Sequence, residues 1–248
     1  MSASLVIEGT IARLTLERPQ ALNALSRAVA EALESALGQL ERSKSVSVVI
    51  VSGRGRAFCA GNDIAEMPTL GPAEARALSR RWQKIMDRFA RLPQVTIAAV
   101  RGYALGGGCM LAAAQDLRVA EAGARFGLPE VTLGFNPSYG IARILDVVGG
   151  GPARDLLLTG RSIDAAEALR MGLVTRVVPD GELENATNEL AAGIAQHPRG
   201  GLAATKAIVA DIRAGTSGGA AQAYAASLRG DKYARARIAD FVAKRRKD

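Results

Sequence analysis

Two features of this sequence could do chemistry with few parts. Gly106-Gly107-Gly108 runs into small residues through Ala114, and further along Glu130 follows Pro129. Glycines ahead of a small-residue helix have two uses. They let the helix pack tightly on a sheet, and they bare backbone N–H groups at a helix N-terminus, where negative charge is favoured. On this segment alone both readings stand. Glu130 likewise reads as a carboxylate that moves a proton, or as a first-turn helix glutamate held by the helix dipole.

Other chemistries lack their residues. His197 is the only histidine, which nearly excludes histidine-based acid–base schemes. It precedes Pro198 at a helix start and suits a capping or surface role. No carboxylates cluster with ligand-like spacing, so no metal is expected. Val46 to Val51 followed by Gly53-Arg54-Gly55 opens like a dinucleotide loop, but Phe58 stands where the sixth motif position needs glycine. There is no phosphate-binding loop with its lysine and no Gly-x-Ser-x-Gly elbow.

The elements that must position these residues can be read coarsely. Two strand-like runs over 5–16 flank Glu8-Gly9-Thr10, a hairpin turn. A stripe at Leu25, Val29, Leu33, Leu37 and Leu40 predicts a helix from Ser26, and Val46 to Val51 predicts a strand buried on both faces. Pro72 opens a second helix with the stripe Leu78, Trp82, Ile85, Phe89 and Leu92. Val95 to Val100 is another buried strand, leading into the glycine triplet. Beyond Pro129 helices dominate, at about 137–147, 152–158, 164–170, 182–196, 201–213 and 219–243, with one strand-like run over 173–178. Strand–helix alternation followed by helices indicates an α/β core, placed at 1–195, and a helical C-terminal region, placed at 196–248.

Four ordered segments resemble the enoyl-CoA hydratase/isomerase (crotonase) family over nearly the whole chain. They are Arg18 to Leu25 (RPQALNAL), Arg56 to Ile64 (RAFCAGNDI), the run 101–120 (RGYALGGGCMLAAAQDLRVA) with Phe126 to Glu130 and Leu133-Gly134, and Phe241 to Arg245. The resemblance implies a spiral of ββα units with a helical C-terminal trimerisation region, acting on an acyl-CoA thioester. Coenzyme A would be part of the substrate, with no separate cofactor. The backbone N–H groups of Asn62 and Gly107 would form an oxyanion hole for the thioester oxygen, with Glu130 as acid/base. Ala21, Leu22, Ala60 and Ile64 would lie along the coenzyme A, with Arg56 near its phosphates. Phe241 and Lys244 would reach a neighbouring subunit's ligand in a homotrimer or homohexamer. Asp116 would be a structural residue at a helix-to-strand junction. Two fixed donors would stabilise the enolate that forms when a proton leaves beside the thioester, and partial burial would raise the proton affinity of Glu130.

The sequence departs from the family pattern where hydratases carry a second glutamate, two residues after the glycine triplet. That position is Met110, which can neither hold water nor exchange a proton. Three outcomes follow: Glu130 alone shifts a double bond between two carbons, Glu130 supports hydration with another group holding the water, or the pocket serves hydrolysis, decarboxylation or another enolate reaction. Tyr139 and Ser138 are the candidates for the missing polar group, though Asn136-Pro137-Ser138 also reads as a turn and helix cap. Ala65 stands where some members carry a phosphate-binding lysine, leaving phosphate contact to Arg56 and C-terminal basic residues. Met67, Trp82, Met86, Phe135 and Tyr139 are expected to set the size of the acyl pocket.

With 248 residues the chain can bury a sizeable core. No apolar run reaches membrane-spanning length, and the N-terminus reads straight into a strand with no secretory pattern. Cys59 and Cys109 form no framework and suit a reducing cytoplasm. The net charge of +8 fits a phosphate-bearing ligand. It also admits an RNA-binding family member, but aromatic residues are not interleaved with the basic ones, which disfavours nucleic acid. A catalytically silent coenzyme A-binding subunit is a further alternative. The dense cluster Lys244, Arg245, Arg246 and Lys247 reads as a solvated tail.

Overall fold

A computed structural model of the protein describes residues 2–216 and 219–245. The side chains of Lys244 and Arg245, and the whole of Arg246 and Lys247, lie outside the described residues, so their expected roles have no structural counterpart.

β1 (Ala3–Glu8) and β2 (Ile11–Leu16) form the expected antiparallel hairpin, pairing Ala3 with Leu16 and Glu8 with Ile11. α1 (Arg27–Arg42) begins where its stripe predicts, with the Ser26 hydroxyl accepting the Val29 N–H to cap it. β3 (Val48–Gly53), α2 (Pro72–Arg91) and β4 (Val95–Val100) follow. Next come β5 (Tyr103–Leu105), α3 (Gly107–Ala114), β6 (Leu117–Glu121), β7 (Arg125–Gly127) and a 3-10 turn over Pro129–Leu133. α4 (Ile141–Val148), α5 (Gly150–Thr159), β8 (Ser162–Asp164), α6 (Ala165–Arg170) and β9 (Arg176–Val178) complete the strands. α7 (Leu183–Ala195), α8 (Arg199–Arg213), α9 (Gly219–Leu228) and α10 (Lys232–Arg245) end the described chain.

The strands form a six-stranded sheet ordered β1-β2-β3-β4-β6-β9 and a three-stranded sheet ordered β5-β7-β8. From β2 onward every pair in the larger sheet is parallel, and so is β5 with β7. From β4 to β7 the chain lays strands alternately in the two sheets and returns each time to the next parallel position, which makes a spiral, and β8 then pairs antiparallel with β7. The two-sided apolar character of β3 and β4 has a direct cause. Val49, Val51, Ala98 and Val100 join the main core with α1, α2 and α3, while Val48, Ile50, Ile97 and Ala99 pack with Leu183 and Ala191 of α7. Alternate residues thus serve opposite faces of one sheet.

Several expectations need correction. The helix expected over 137–147 starts only at Ile141, after Gly140 at φ 76°. Pro137 disfavours helix at the residue before it, and Asn136 to Tyr139 form the loop that carries Tyr139. Gly140, not the Asn136-Pro137-Ser138 segment, is the N-cap of α4. The single helix expected over 219–243 is broken between α9 and α10. Gly230 is a poor helix former, and the Asp231 carboxylate accepts the Tyr233 N–H at 2.8 Å to start a new helix. The strand expected over 173–178 shrinks to β9, because Leu173 and Val174 turn into the core instead of pairing. Of the two roles expected for His197, the surface one holds, since it is exposed, and the capping one does not, since Pro198 is the N-cap of α8.

Candidate active site

Three loops converge at the N-terminus of α3. The first, 18–25, is laced onto the second, 59–63: Ala60 N–H donates to the Leu22 carbonyl, Leu25 N–H to the Gly61 carbonyl and Asp63 N–H to the Leu25 carbonyl. Arg18 pairs with Asp63 at 2.9 Å and donates to the Ala24 carbonyl. Asn23 sits buried in the left-handed region at φ 58°, its side chain bridging the Arg54 and Ala57 carbonyls and accepting from the Arg18 N–H. Asparagine tolerates that conformation better than most side chains. This anchor was missed in the sequence, where an asparagine flanked by alanine and leucine was the only signal.

The same lacing sets the Asn62 amide apart. Its bridge to Leu25 uses the flanking Gly61 carbonyl and Asp63 N–H, so the Asn62 N–H faces away from that neighbour. On the other side, Gly107 is the first residue of α3, and its N–H has no acceptor within the helix. A methyl built on Gly61 would lie 3.5 Å from the Gly107 nitrogen, which places that amide against the Gly61–Asn62 peptide. Gly61 at φ 103° and Gly106 at φ 51° occupy backbone regions that side chains rarely adopt.

Glu130 completes the group. It is the second residue of the 3-10 turn over Pro129–Leu133 and is buried, with Oε2 lacking any hydrogen-bond partner among the described residues. Burial raises its carboxyl above the ordinary carboxylate range. A cavity of about 60 Å³ is bordered by Asn62, Gly107 and Glu130 together, along with Ala60, Ile64, Met67 and Phe135. A second, of about 70 Å³, shares Asn62 and Glu130 and adds Met110 and Tyr139. A third, of about 100 Å³, extends from Asn62 and Tyr139 toward Leu78 and Trp82 of α2.

Most expected residues are thus brought together. Ala60 and Ile64 border the first cavity, with Ile64 72% exposed. Leu22 is one hydrogen bond from Ala60, and Ala21 precedes it in a short 3-10 turn. Arg56 is exposed and borders none of the three cavities. Of the expected acyl-pocket residues, Met86 is buried in the core and borders none either. Ala65 is exposed, its N–H donating to Asp63. Asp116 joins α3 to β6 and accepts from Thr96 and Lys206, a structural arrangement.

Tyr139 is placed by α2. Its ring stacks on Trp82 with centroids 6.2 Å apart, the Ser79 hydroxyl donates to the Ser138 carbonyl, and Gly140 N–H donates to the Gln83 side chain. Ser79, Trp82 and Gln83 share one helical face by spacing. The polar pair beside the apolar stripe was the unused signal. Burial pushes the Tyr139 phenol well above its usual range, so the hydroxyl is neutral at physiological pH. Cys59 and Cys109 are buried, with both thiols pushed up to about 12, which removes thiolate chemistry. No group of three or more potential metal ligands occurs among the described residues. A cavity of about 720 Å³, larger than these three, lies apart between β6, α4 and α8. It holds none of the convergent groups above, so size does not locate the chemistry.

A family model described as enoyl-CoA hydratase/isomerase matches residues 6–230. A short-chain-enoyl-CoA hydratase of Clostridium acetobutylicum is 42% identical over 186 residues, 74% of this chain and 71% of that protein. A crotonyl-CoA hydratase of Syntrophomonas wolfei is 41% identical, covering 71% and 68%. The crystal structure of an enoyl-CoA hydratase from Bacillus anthracis superposes with a TM-score of 0.90 at 32% identity, over 98% of this chain and 97% of that one. The ordered motifs, the spiral of two sheets and these likenesses agree: the chain belongs to the enoyl-CoA hydratase/isomerase (crotonase) family.

Proposed function

We propose that the protein hydrates a short 2-enoyl-CoA through a thioester enolate. The observation that carries this reading is that one cavity is bordered by the buried Glu130 and by both Asn62 and Gly107, the residues of the two backbone amides. The thioester oxygen sits between the N–H groups of Asn62 and Gly107. Glu130, ionised, takes a proton from water while the water oxygen bonds to C3. The C2–C3 electron pair moves toward the thioester, whose oxygen becomes the enolate held by the two donors. Glu130 then returns the proton to C2. Loss of one such donor raises a barrier by about 3 kcal/mol, and a positioned carboxylate contributes about a hundred- to ten-thousandfold.

The names of the relatives support hydration over isomerisation. The substrate's nucleotide would lie toward loop 18–25 and Arg56. The small cavities beside Glu130 support a short acyl group. Exposed Tyr224, Tyr233 and Ile238 on α9 and α10 suit burial in a homotrimer or homohexamer.

The test is hydration of crotonyl-CoA by the wild-type chain and by Glu130→Gln. Loss of at least about a hundredfold in the variant is expected. Unchanged turnover in the variant, with the wild type active, would end the proposal.

A further inference from the structure

Met110 leaves the cavity beside Glu130 without a second carboxylate, and the structure puts another polar group on that wall. Tyr139 borders the same cavity of about 70 Å³ as Glu130 and Met110. That volume is about twice the share of one water in the liquid. Two fixed points locate the pair. A methyl on Gly106 would lie 2.9 Å from Glu130 Oε1, and a methyl on the next residue, Gly107, would overlap the Tyr139 hydroxyl. The carboxylate and the phenol therefore flank consecutive residues of the turn that begins α3.

The hydrogen-bond inventory decides what the phenol can do. A tyrosine hydroxyl has one proton to donate and can still accept. Its proton is committed to Asn62 Oδ1, at 2.5 Å. What it has left to offer the cavity is an acceptor. Glu130 borders the same cavity and brings its carboxylate as a second acceptor. A water molecule has two protons, and two acceptors on one small polar cavity are what orients it.

We infer that Tyr139 is a catalytic residue of the hydration, holding the attacking water by accepting one of its protons while Glu130 accepts the other. This rests on the enolate reading above. With both protons engaged, a lone pair of the water is turned to C3. As the O–C3 bond forms, the O–H bond toward Glu130 breaks and that proton goes to the carboxylate. The proton facing Tyr139 stays on the new hydroxyl, and Tyr139 itself is unchanged. The oxygen that Met110 cannot supply comes from another element, fixed by Trp82, Ser79 and Gln83 of α2.

The test is Tyr139→Phe, which keeps the ring stacked on Trp82 and removes only the oxygen. Two reactions are measured: hydration of crotonyl-CoA, and exchange of the C2 protons of butyryl-CoA with deuterated water. The second needs Glu130 and the two amides but no water held at C3. Hydration is expected to fall about 10- to 100-fold through kcat, with KM little changed and exchange within about threefold of wild type. Retained exchange also shows that the site is folded. Hydration within about twofold of wild type would overturn the assignment. So would an equal fall in both reactions, which would mean that Tyr139 acts only by holding Asn62. A wild-type protein that exchanges without hydrating overturns this assignment and leaves the enolate reading standing; one that does neither removes both.

Discussion

Glu130 Oε1 lies 2.9 Å from the point a methyl on Gly106 would occupy, so the carboxylate rests against the turn that opens α3. Gly106 also holds φ at 51°, and its N–H donates to the Gly127 carbonyl. One residue therefore ties the glycine turn to the strand that leads into Glu130.

Gly106→Ala is accordingly expected to do two kinds of damage. The backbone would be strained by about 1–3 kcal/mol, and the carboxylate would be pushed out of line with the Gly107 amide. Chemical denaturation checks the first. For the second, kcat should fall at least about tenfold more than KM changes.

A different result is expected at Glu130 itself, because its proton affinity is raised by burial. Ionised Glu130 is less favourable in the folded chain than in the unfolded one. The protonated form therefore adds stability, fully present below the unfolded value near 4.5 and lost as pH rises through the higher folded value. Glu130→Gln, which mimics the protonated form, should melt higher than wild type at pH 7 and lose that advantage below about pH 4.5. In the wild type, the acid limb of kcat/KM should turn down at a pH above 4.5, since the base must be ionised.

Away from the site, Lys206 Nζ is buried against Asp116 Oδ2 at 2.6 Å and donates to the Gln94 carbonyl at 2.8 Å. This ties α8 to the start of β4 and to the α3–β6 junction. Lys206→Met removes one partner of a largely buried pair. Asp116 keeps its bonds to Thr96 and a quarter of its side-chain exposure, so the expected loss is about 2–3 kcal/mol, below the full cost of an isolated buried charge. A urea midpoint unchanged from wild type would contradict this.

The long periodic elements were legible in the sequence because one physical term dominates each of them. The α1 stripe and the Val95 to Val100 run are set by burial alone, and the structure places them within a residue or two of expectation. The short strands β5, β7 and β8 were not legible, because three residues carry no period and exist only where another strand offers a ladder. The α4 start was misjudged since Tyr139 is held by α2, a contact 57 residues distant for Gly140 and Gln83. At the site, Asn62, Gly107 and Glu130 were readable as a set only through the family resemblance. The Asn23 anchor and the Tyr139–Asn62 bond depend on chain segments far apart in sequence, and no local pattern announces them.

In the proposed reaction the enolate forms between two amides and one carboxylate. The most direct measurement is deuterium incorporation at C2 of butyryl-CoA, followed by mass for the wild type and Glu130→Gln in deuterated water. Steady incorporation is expected from the wild type, with a rate lower by at least about a hundredfold in the variant. Equal incorporation by the two proteins would contradict the proposal.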